Sequence, residues 1–332
     1  MQEQFIAFLK AKTKDTTSFV DEIATVLDIG YDAAYRRINL KTNLTLEEGV
    51  KLARHYKVSL NKLFEVGSTN SIITEIYQNP YNEQALELWF KQTLNNAFPL
   101  TKMKNAEMIW SGKDISLFRS LTDSYLTRYK MYVWLKDLNV EMAKSKISFD
   151  DWMKTIPDSL LQSAIDLGNV YKNINIIELW NDNTINGTLQ QVLYYFEAGL
   201  VSKDIALRIC DEIHDVVNNI EKETIQQTIN EREDEKFFRL YKHPLHTLTN
   251  TVMVVTPYQK AFFTPFTVLT YFKIEHKETC DIMYEFLQKQ MSNSKLLATA
   301  GERDRTIFFK TIHQKISIAQ ERINLDDKMT FL

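Results

Sequence analysis

The chain has 332 residues, of which 44% are hydrophobic and 25% are charged, and its formal net charge is −3. This length and apolar content allow two or three folded domains that need neither metal nor disulfide support. The slightly negative charge excludes a protein that coats nucleic acid through bulk electrostatics, so any nucleic-acid contact must be local.

The cysteine content fits a reducing compartment, and the hydropathy pattern predicts no membrane anchor. Its two cysteines, Cys210 and Cys280, form no Cys-x-x-Cys pair, so we expect neither structural zinc nor a disulfide framework. The longest uncharged stretches are too short and too polar to cross a bilayer. We therefore expect a cytoplasmic protein with no membrane partner.

Helix signals follow one another along residues 1–66. Apolar residues at helical spacing predict a first helix over residues 2–12. Two capping-box patterns, each with a side-chain acceptor followed three residues later by a carboxylate, mark further helix starts. They are Ser18 with Asp21, and Thr45 with Glu48. Because Ser59 can cap a last short helix over residues 60–64, we expect five helices in this segment.

The second and third of these helices, residues 18–27 and 31–39, are separated by only three residues, as in a helix-turn-helix. Asp28 stands in the turn where a positive φ is common, and aspartate tolerates that region better than most residues. The apolar side chains that can hold the two helices together are Ile23, Ala24, Leu27, Ile29, Ala34 and Ile38. If they face inward, the second helix presents a polar face to solvent.

This polar face predicts contacts with double-stranded DNA. The candidate base-reading residues are Tyr31, Asp32, Ala33, Arg36 and Arg37. The candidate phosphate contacts are Thr17, Ser18, Lys41, Thr42 and Asn43. Arginine can donate two hydrogen bonds to guanine, whereas helix starts and polar loops suit phosphate oxygens. The alternative is a small helical domain in which Arg36 merely pairs with Asp32 one turn earlier.

The segment VDEIATVLDIGYDAAYRRI resembles the helix-turn-helix of the lambda-repressor/Cro-like family of bacterial regulators. The downstream elements at residues 44–48 and 58–64 also fit that family. The resemblance covers only the N-terminal segment of the chain. It implies a five-helix DNA-binding domain whose third helix enters the major groove.

The remaining sequence divides into three parts. Residues 67–79 are mostly small and polar and predict a linker. Residues 80–236 have a helical pattern nearly throughout, and within them residues 202–223 carry the clearest apolar stripe. Residues 237–332 predict a small α+β region that can be continuous with the helical domain.

In this last part, β-branched and aromatic residues from 251 to 263 predict a β-hairpin, and residues 278–291 and 302–322 predict two closing helices. The fold class is therefore mainly α: an N-terminal five-helix lambda-repressor-like domain, a helical middle region and a small α+β C-terminal region. The aromatic groups, such as Phe262-Phe263, either line a ligand pocket or fill the core.

No sequence motif indicates catalysis. The chain has no glycine-rich phosphate loop, no His-Glu-x-x-His and no Gly-x-Ser-x-Gly. The pairs His243 with His246 and His276 with Cys280 are spaced to share a metal, but each lacks a third ligand. We therefore expect no enzymatic activity, no metal site and no cofactor.

These observations predict a sequence-specific DNA-binding transcription regulator. Its C-terminal region would form a homodimer through residues 202–223, sense an unidentified small-molecule or protein effector, or do both. The alternative function is a helix-turn-helix that serves as a protein-interaction or assembly module without binding DNA.

Overall fold

The computed structural model describes residues 1–13, 18–64, 72, 74–76, 79–229, 236–245 and 248–329. Contacts within the chain divide it into two compact units, Met1–Ile73 and Thr74–Leu332. Most of the predicted linker lies outside the described residues. No described helix is both long and apolar enough to cross a lipid bilayer.

The first unit contains the five predicted helices. They are α1 Gln2–Lys12, α2 Phe19–Leu27, α3 Tyr31–Ile38, α4 Leu46–His55 and α5 Leu60–Phe64. The buried residues of its core come from the first four helices and the residue after α4, and they include Phe5, Leu9, Ile23, Ala34, Leu52 and Tyr56. An apolar face on each short helix is thus the main source of stability for a unit of this size.

One of the two predicted capping boxes is formed. Thr45 accepts a hydrogen bond from the Glu48 backbone, and the Glu48 carboxylate accepts one from the Thr45 backbone, which together begin α4. Ser18 occupies the N-cap position of α2, but its hydroxyl accepts no hydrogen bond from the described first turn. The Ser18 pattern therefore predicted the position of the helix start correctly, but the predicted capping hydrogen bond is not formed.

The second unit is built on one eight-stranded mixed sheet. Its strands are β1 Glu75–Ile76, β2 Glu107–Ser111, β3 Asn175–Trp180, β4 Phe238–Lys242, β5 Thr251–Val255, β6 Lys260–Pro265, β7 Tyr271–Ile274 and β8 Lys295–Leu296. The order across the sheet is β1-β7-β6-β5-β2-β3-β4-β8. Strands β2, β3 and β4 are parallel to one another, and the other neighbours pair antiparallel.

Helices precede, connect and follow these strands. They are α6 Glu83–Thr101, a 3₁₀ turn Leu117–Ser120, α7 Tyr125–Leu138, α8 Val140–Lys144, α9 Phe149–Met153, α10 Asp158–Tyr171, α11 Asn186–Glu197, α12 Lys203–Gln226, α13 Lys277–Ser292 and α14 Glu302–Met329. The two closing helices predicted from the sequence are confirmed as α13 and α14. The protein is mainly helical, as expected.

The sheet has a core on each face. Met108, Trp110 and Ile176 belong to the larger core, which also contains the buried side chains of α7, α10 and α12. Ile109 and Ile177 point to the opposite face and belong to a smaller core with α13. Alternate residues of one strand therefore serve two different cores, as the two-residue period of a strand requires.

Two of the central strands lie where the sequence predicted a helical domain. β2 and β3 fall within residues 80–236, so the prediction of a helical middle region missed two strands of the sheet. Both strands are covered on both faces, and they read as short apolar runs without the alternation that marks a half-exposed strand. The predicted hairpin is confirmed as β5 and β6, but it belongs to a much larger sheet.

The proposed dimer face of α12 is also corrected. Its predicted apolar stripe consists of Ile205, Ile209, Ile213, Val216 and Ile220. Three of these residues, Ile209, Ile213 and Ile220, are at most 1% exposed, and the other two are half-buried. The helix packs inside the unit against α14, α7 and α11. Because most of the stripe is already covered by the same chain, it does not offer a continuous apolar face to a second copy.

A charged cluster lies inside the larger core. The Arg119 side chain of the 3₁₀ turn is 6% exposed, and its Nε donates to Oε1 of the fully buried Glu178 on β3 at 2.8 Å. Its Nη1 also donates to Glu223 on α12. Tyr171 of α10 and Trp180 of β3 donate to the same Glu178 carboxylate, at 2.6 and 2.8 Å.

This cluster keeps the guanidinium charged. Burial by itself would lower the pKa of Arg119, but the carboxylates of Glu178 and Glu223 raise it above its usual value. The guanidinium carbon also lies 4.4 Å from the centre of the Phe238 ring, a cation–π contact. One side chain thus connects the sheet, α12 and the turn that precedes α7.

Replacement of Arg119 tests this role. Arg119→Met should lower the free energy of unfolding by about 3–5 kcal/mol, because it leaves two buried carboxylates without their partner. Arg128→Met is the matched control, since Arg128 pairs with the exposed Asp123 and should cost at most about 1 kcal/mol. Denaturant titration followed by tryptophan fluorescence suits the measurement, because all five tryptophans lie in this unit. Equal losses in the two variants would contradict the assignment.

Candidate nucleic-acid interface

The α2–turn–α3 segment forms because its apolar residues fit closely. Ile23 and Ala34 are fully buried, and Leu27 is 5% exposed. Asp28 ends α2 in the left-handed region with φ 55°, as the sequence suggested. The next amide, that of Ile29, donates to the carbonyl of Ala24 at 3.0 Å. This closure turns the chain so that α3 begins at Tyr31.

One side of α3 is left exposed by this packing. Tyr31 is 52% exposed and Tyr35 is 46% exposed, and Asp32 and Arg36 are exposed beside them. Arg36 forms no ion pair with any acidic side chain among the described residues, Asp32 included. The surface pair considered as the alternative reading of Arg36 is therefore not present in this structure.

Tyr35 is a surface residue of α3 that the sequence reading missed. It lies one turn after Tyr31 and next to Arg36, on the same exposed side of the helix. Its exposure could have been predicted from the sequence, because Tyr35 directly follows Ala34, which was expected to face inward.

Arg37 does not project outward as expected. Its Nε and Nη2 donate to the two carboxylate oxygens of Glu48 at 3.0 and 2.7 Å, and its Nη1 donates to the Ala33 carbonyl at 3.1 Å. The Arg37 and Glu48 side chains are 17% and 15% exposed. The hydrogen bond from Arg37 lowers the pKa of Glu48 below its usual value. Arg37 thus joins α3 to α4, and its donors are already engaged.

Gln2 of α1 holds the other end of α3. Its amide nitrogen donates to the carbonyls of Arg37 and Thr42, each at 3.0 Å, and its amide oxygen accepts from the Leu44 backbone at 3.0 Å. Its partners are 35 to 42 positions away along the chain. No local sequence pattern could have identified this contact.

The loop after α3 is exposed and turned outward. Leu40 has a φ of 60°, and the amides of Lys41 and Thr42 both donate to the Arg36 carbonyl. Lys41, Thr42 and Asn43 are exposed, as is Ser18 at the start of α2. Each of these four residues can therefore reach a phosphate from the position the structure gives it.

Two further candidate DNA contacts, Ala33 and Thr17, are not found on the exposed surface that the structure describes. Ala33 is half-buried beside Arg37 rather than on the exposed face. Thr17 lies outside the described residues. Six of the ten candidate residues lie on the exposed side of α3 or in the loop after it. They are Tyr31, Asp32, Arg36, Lys41, Thr42 and Asn43. A seventh, Ser18, is exposed at the start of α2.

The histidine and cysteine pairs named from the sequence do not form a metal site among the described residues. Among the described residues, no three His, Cys, Asp or Glu side chains gather as metal ligands. His276 pairs with Thr279, and the buried Cys280 thiol donates to the Ile274 carbonyl, while His246 lies outside the described residues. Burial raises the pKa of the Cys210 thiol to about 12, so little reactive thiolate exists at neutral pH.

The two neighbouring arginines of α3 provide a matched test. Arg37→Ala should speed amide hydrogen exchange in α3 and α4 about fivefold, because losing the pair with Glu48 costs about 1 kcal/mol. Arg36→Ala, the same substitution one position earlier, should leave exchange unchanged. If both variants exchange alike, Arg37 has no special structural role.

The same pair predicts a pH dependence. Because the pKa of Glu48 is lowered from 4.5, the stability it contributes is fully present above that pH and is lost as the pH falls through the lowered pKa. The difference in exchange between the wild type and Arg37→Ala should therefore shrink in acid. A difference that grows as the pH falls would contradict this sign.

Comparison of the chain with protein-family models, with curated proteins and with solved structures found no match. The first unit consists of several short helices and is compatible with a helical DNA-binding domain.

Proposed function

We propose that the N-terminal unit binds duplex DNA with α3 in the major groove, and that the protein is a cytoplasmic, sequence-specific transcription regulator. The observation that carries this proposal is the asymmetry of α3. One side is held by the buried Ala34 and by Arg37, whereas the other presents an exposed Arg36 beside two exposed tyrosines. A helix whose exposed side carries a guanidinium with no ion pair among the described residues fits what groove recognition requires.

The proposed contacts divide into two classes. Arg36 would donate hydrogen bonds from its two terminal nitrogens to guanine O6 and N7, with Tyr31, Asp32 and Tyr35 contacting neighbouring base edges. Ser18, Lys41, Thr42 and Asn43 would contact phosphates and fix the position of the helix along the duplex. Arg37 acts indirectly in this scheme, because it orients α3 through Glu48.

The small positive charge of the N-terminal segment agrees with local recognition. Residues 1–66 carry ten Lys or Arg and nine Asp or Glu, a balance of +1. Such a segment cannot bind DNA tightly by electrostatics alone. Its affinity must therefore depend on a few well-placed contacts, which makes single substitutions informative.

A dimer follows from the same reasoning. One recognition helix covers only a few base pairs, so specific binding calls for two copies on two half-sites. We propose that residues 74–332 supply the dimer contact, through a surface other than the internal stripe of α12. Sensing of a small-molecule or protein effector by this larger unit stays a prediction.

The first test uses Arg36 and a matched arginine. DNA fragments that the full-length protein retains from a random pool would be selected, and affinity for the enriched sequence would be measured by fluorescence anisotropy. Arg36→Ala should weaken binding roughly tenfold or more, the value of one bidentate guanine contact. Arg54→Ala is the control, because Arg54 is exposed at the carboxyl end of α4 and is not one of the proposed contacts.

The salt dependence of binding separates this function from its alternative. Contacts with phosphates require affinity to fall as salt rises, and Lys41→Ala should reduce the slope of that fall by about one unit. If no sequence is enriched, or if Arg36→Ala and Arg54→Ala bind equally well, DNA recognition by α3 is wrong. A protein-interaction or assembly role would then be the better description of this unit.

The dimer is tested separately. Sedimentation of the full-length chain should give twice the monomer mass of 39.0 kDa, and the selected sequences should be palindromic. Half-sites should be centred about one helical turn of DNA apart, or a multiple of it. A monomer that selects a single short asymmetric sequence would contradict the dimer while leaving α3 as the reading helix.

A further inference from the structure

The two faces of the sheet in the second unit are covered unequally. On the face toward α13, Met253 is fully buried, Phe262 is 4% exposed and Ile274 is 6% exposed. On the other face of the same strands, Val252 and Ala261 are buried, but Val254 and Phe263 are only half-buried. Met253 and Val254 are neighbours on one strand, so the difference between them reflects what covers each face of the sheet.

The difference arises from an unfilled space beside α6. A cavity of about 370 Å³ is bounded by α6, the 3₁₀ turn and strands β2, β5, β6 and β7. Its apolar lining includes Trp89, Met108, Trp110, Phe118, Val254 and Phe263. The strand residues among them share one face of adjacent strands, because Met108 pairs with Val254 in the β2–β5 register.

A space of this size is unusual in a protein core. Interiors are packed about as densely as organic crystals, and voids larger than a water molecule are few. Cavities between about 300 and 1,000 Å³ with mostly apolar and aromatic walls are typical of small-molecule sites. The cavity beside α6 meets both the volume and the lining criteria.

The charges around the cavity indicate what kind of molecule it accepts. The described charged lining residues are Lys273 and Glu275, and their side chains form an ion pair at 2.9 Å. The remaining polar lining residues include the neutral side chains of Gln92, Asn96 and Gln259. A charged ligand would have to break the ion pair or stay unneutralised in an apolar space, and both are unfavourable.

An entrance is present at the turn between β5 and β6. Tyr258 in this turn lines the cavity and is 86% exposed, and Gln92 and Asn96 on α6 are exposed at the cavity as well. A molecule can therefore enter without unfolding the sheet, and the Tyr258 ring can cover it.

We propose that this cavity binds a neutral, predominantly apolar aromatic molecule. Stacking and edge contacts with Trp89, Trp110 and Phe263 would supply the affinity. Amide groups of Gln92, Asn96 and Gln259 would hydrogen-bond to a polar substituent at the entrance. The inference does not depend on DNA binding by the N-terminal unit, because it concerns only residues 89–275.

The test compares two fluorescent naphthalene probes that differ in charge. N-phenyl-1-naphthylamine is neutral, and 1-anilinonaphthalene-8-sulfonate carries a sulfonate on the same ring system. The full-length protein should bind the neutral probe saturably at one site, with quenching of tryptophan emission by energy transfer. The anionic probe should bind at least about tenfold more weakly, because its charge has no partner in the cavity.

Two substitutions that fill the cavity give the decisive comparison. Ala261 lies on β6 with its side chain in the lining, and Ala261→Leu should weaken binding of the neutral probe about tenfold or more. Val254→Leu adds less volume and should weaken it less, which keeps the test valid if the first variant folds poorly. Ala198→Leu, at the exposed carboxyl end of α11, is the matched control and should bind as the wild type does.

Three results would overturn the proposal. They are the absence of saturable binding of the neutral probe, equal affinity for the anionic probe, and unchanged affinity in folded Ala261→Leu and Val254→Leu proteins. Thermal unfolding followed by circular dichroism establishes that each variant is folded. DNA binding is measured independently, so its failure would leave these results interpretable.

Discussion

The ion pair between Arg119 and Glu178 is the contact on which the larger unit depends. Glu178 is a fully buried carboxylate in the middle of the sheet, and such a group needs a charged partner and hydrogen bonds. Arg119 supplies the charge, and Tyr171 and Trp180 supply further donors. Because these residues belong to the sheet, α10 and the 3₁₀ turn, their relative positions are fixed by one cluster.

The position of the cavity follows from this cluster. Leu117 and Phe118 directly precede Arg119 and line the cavity, and the Phe118 ring stacks on Tyr171 at a centroid distance of 4.9 Å. The turn therefore forms one side of the cavity, next to α6. The buried ion pair and the apolar lining thus share the same short turn of the chain.

The N-terminal unit uses an ion pair in a similar way. Arg36 and Arg37 are adjacent, and successive residues of a helix differ by about 100° in direction. That rotation directs Arg37 to Glu48 on α4 and leaves Arg36 in solvent. Glu48 also completes the capping box of α4, so one carboxylate both begins that helix and fixes its neighbour. The orientation of α3 is thereby set by residues that take no part in the proposed DNA contact.

The sequence by itself determined the features that arise between near neighbours. Helical spacing gave the five N-terminal helices, the Thr45–Glu48 spacing gave a cap, and Asp28 indicated the left-handed turn. The hairpin of β5 and β6 was also predictable, because its strands are adjacent in the chain. These features depend on residues a few positions apart, for which local conformation and side-chain period are sufficient.

Only the tertiary structure decided the features that join distant residues. β2 and β3 gain their backbone partners from strands far along the chain, and being buried on both faces they lack a strand period. The engagement of Arg37, the contacts of Gln2, the internal use of α12 and the cavity beside α6 have the same origin. Each depends on which surfaces meet after folding, and a local pattern specifies the surface but not what covers it.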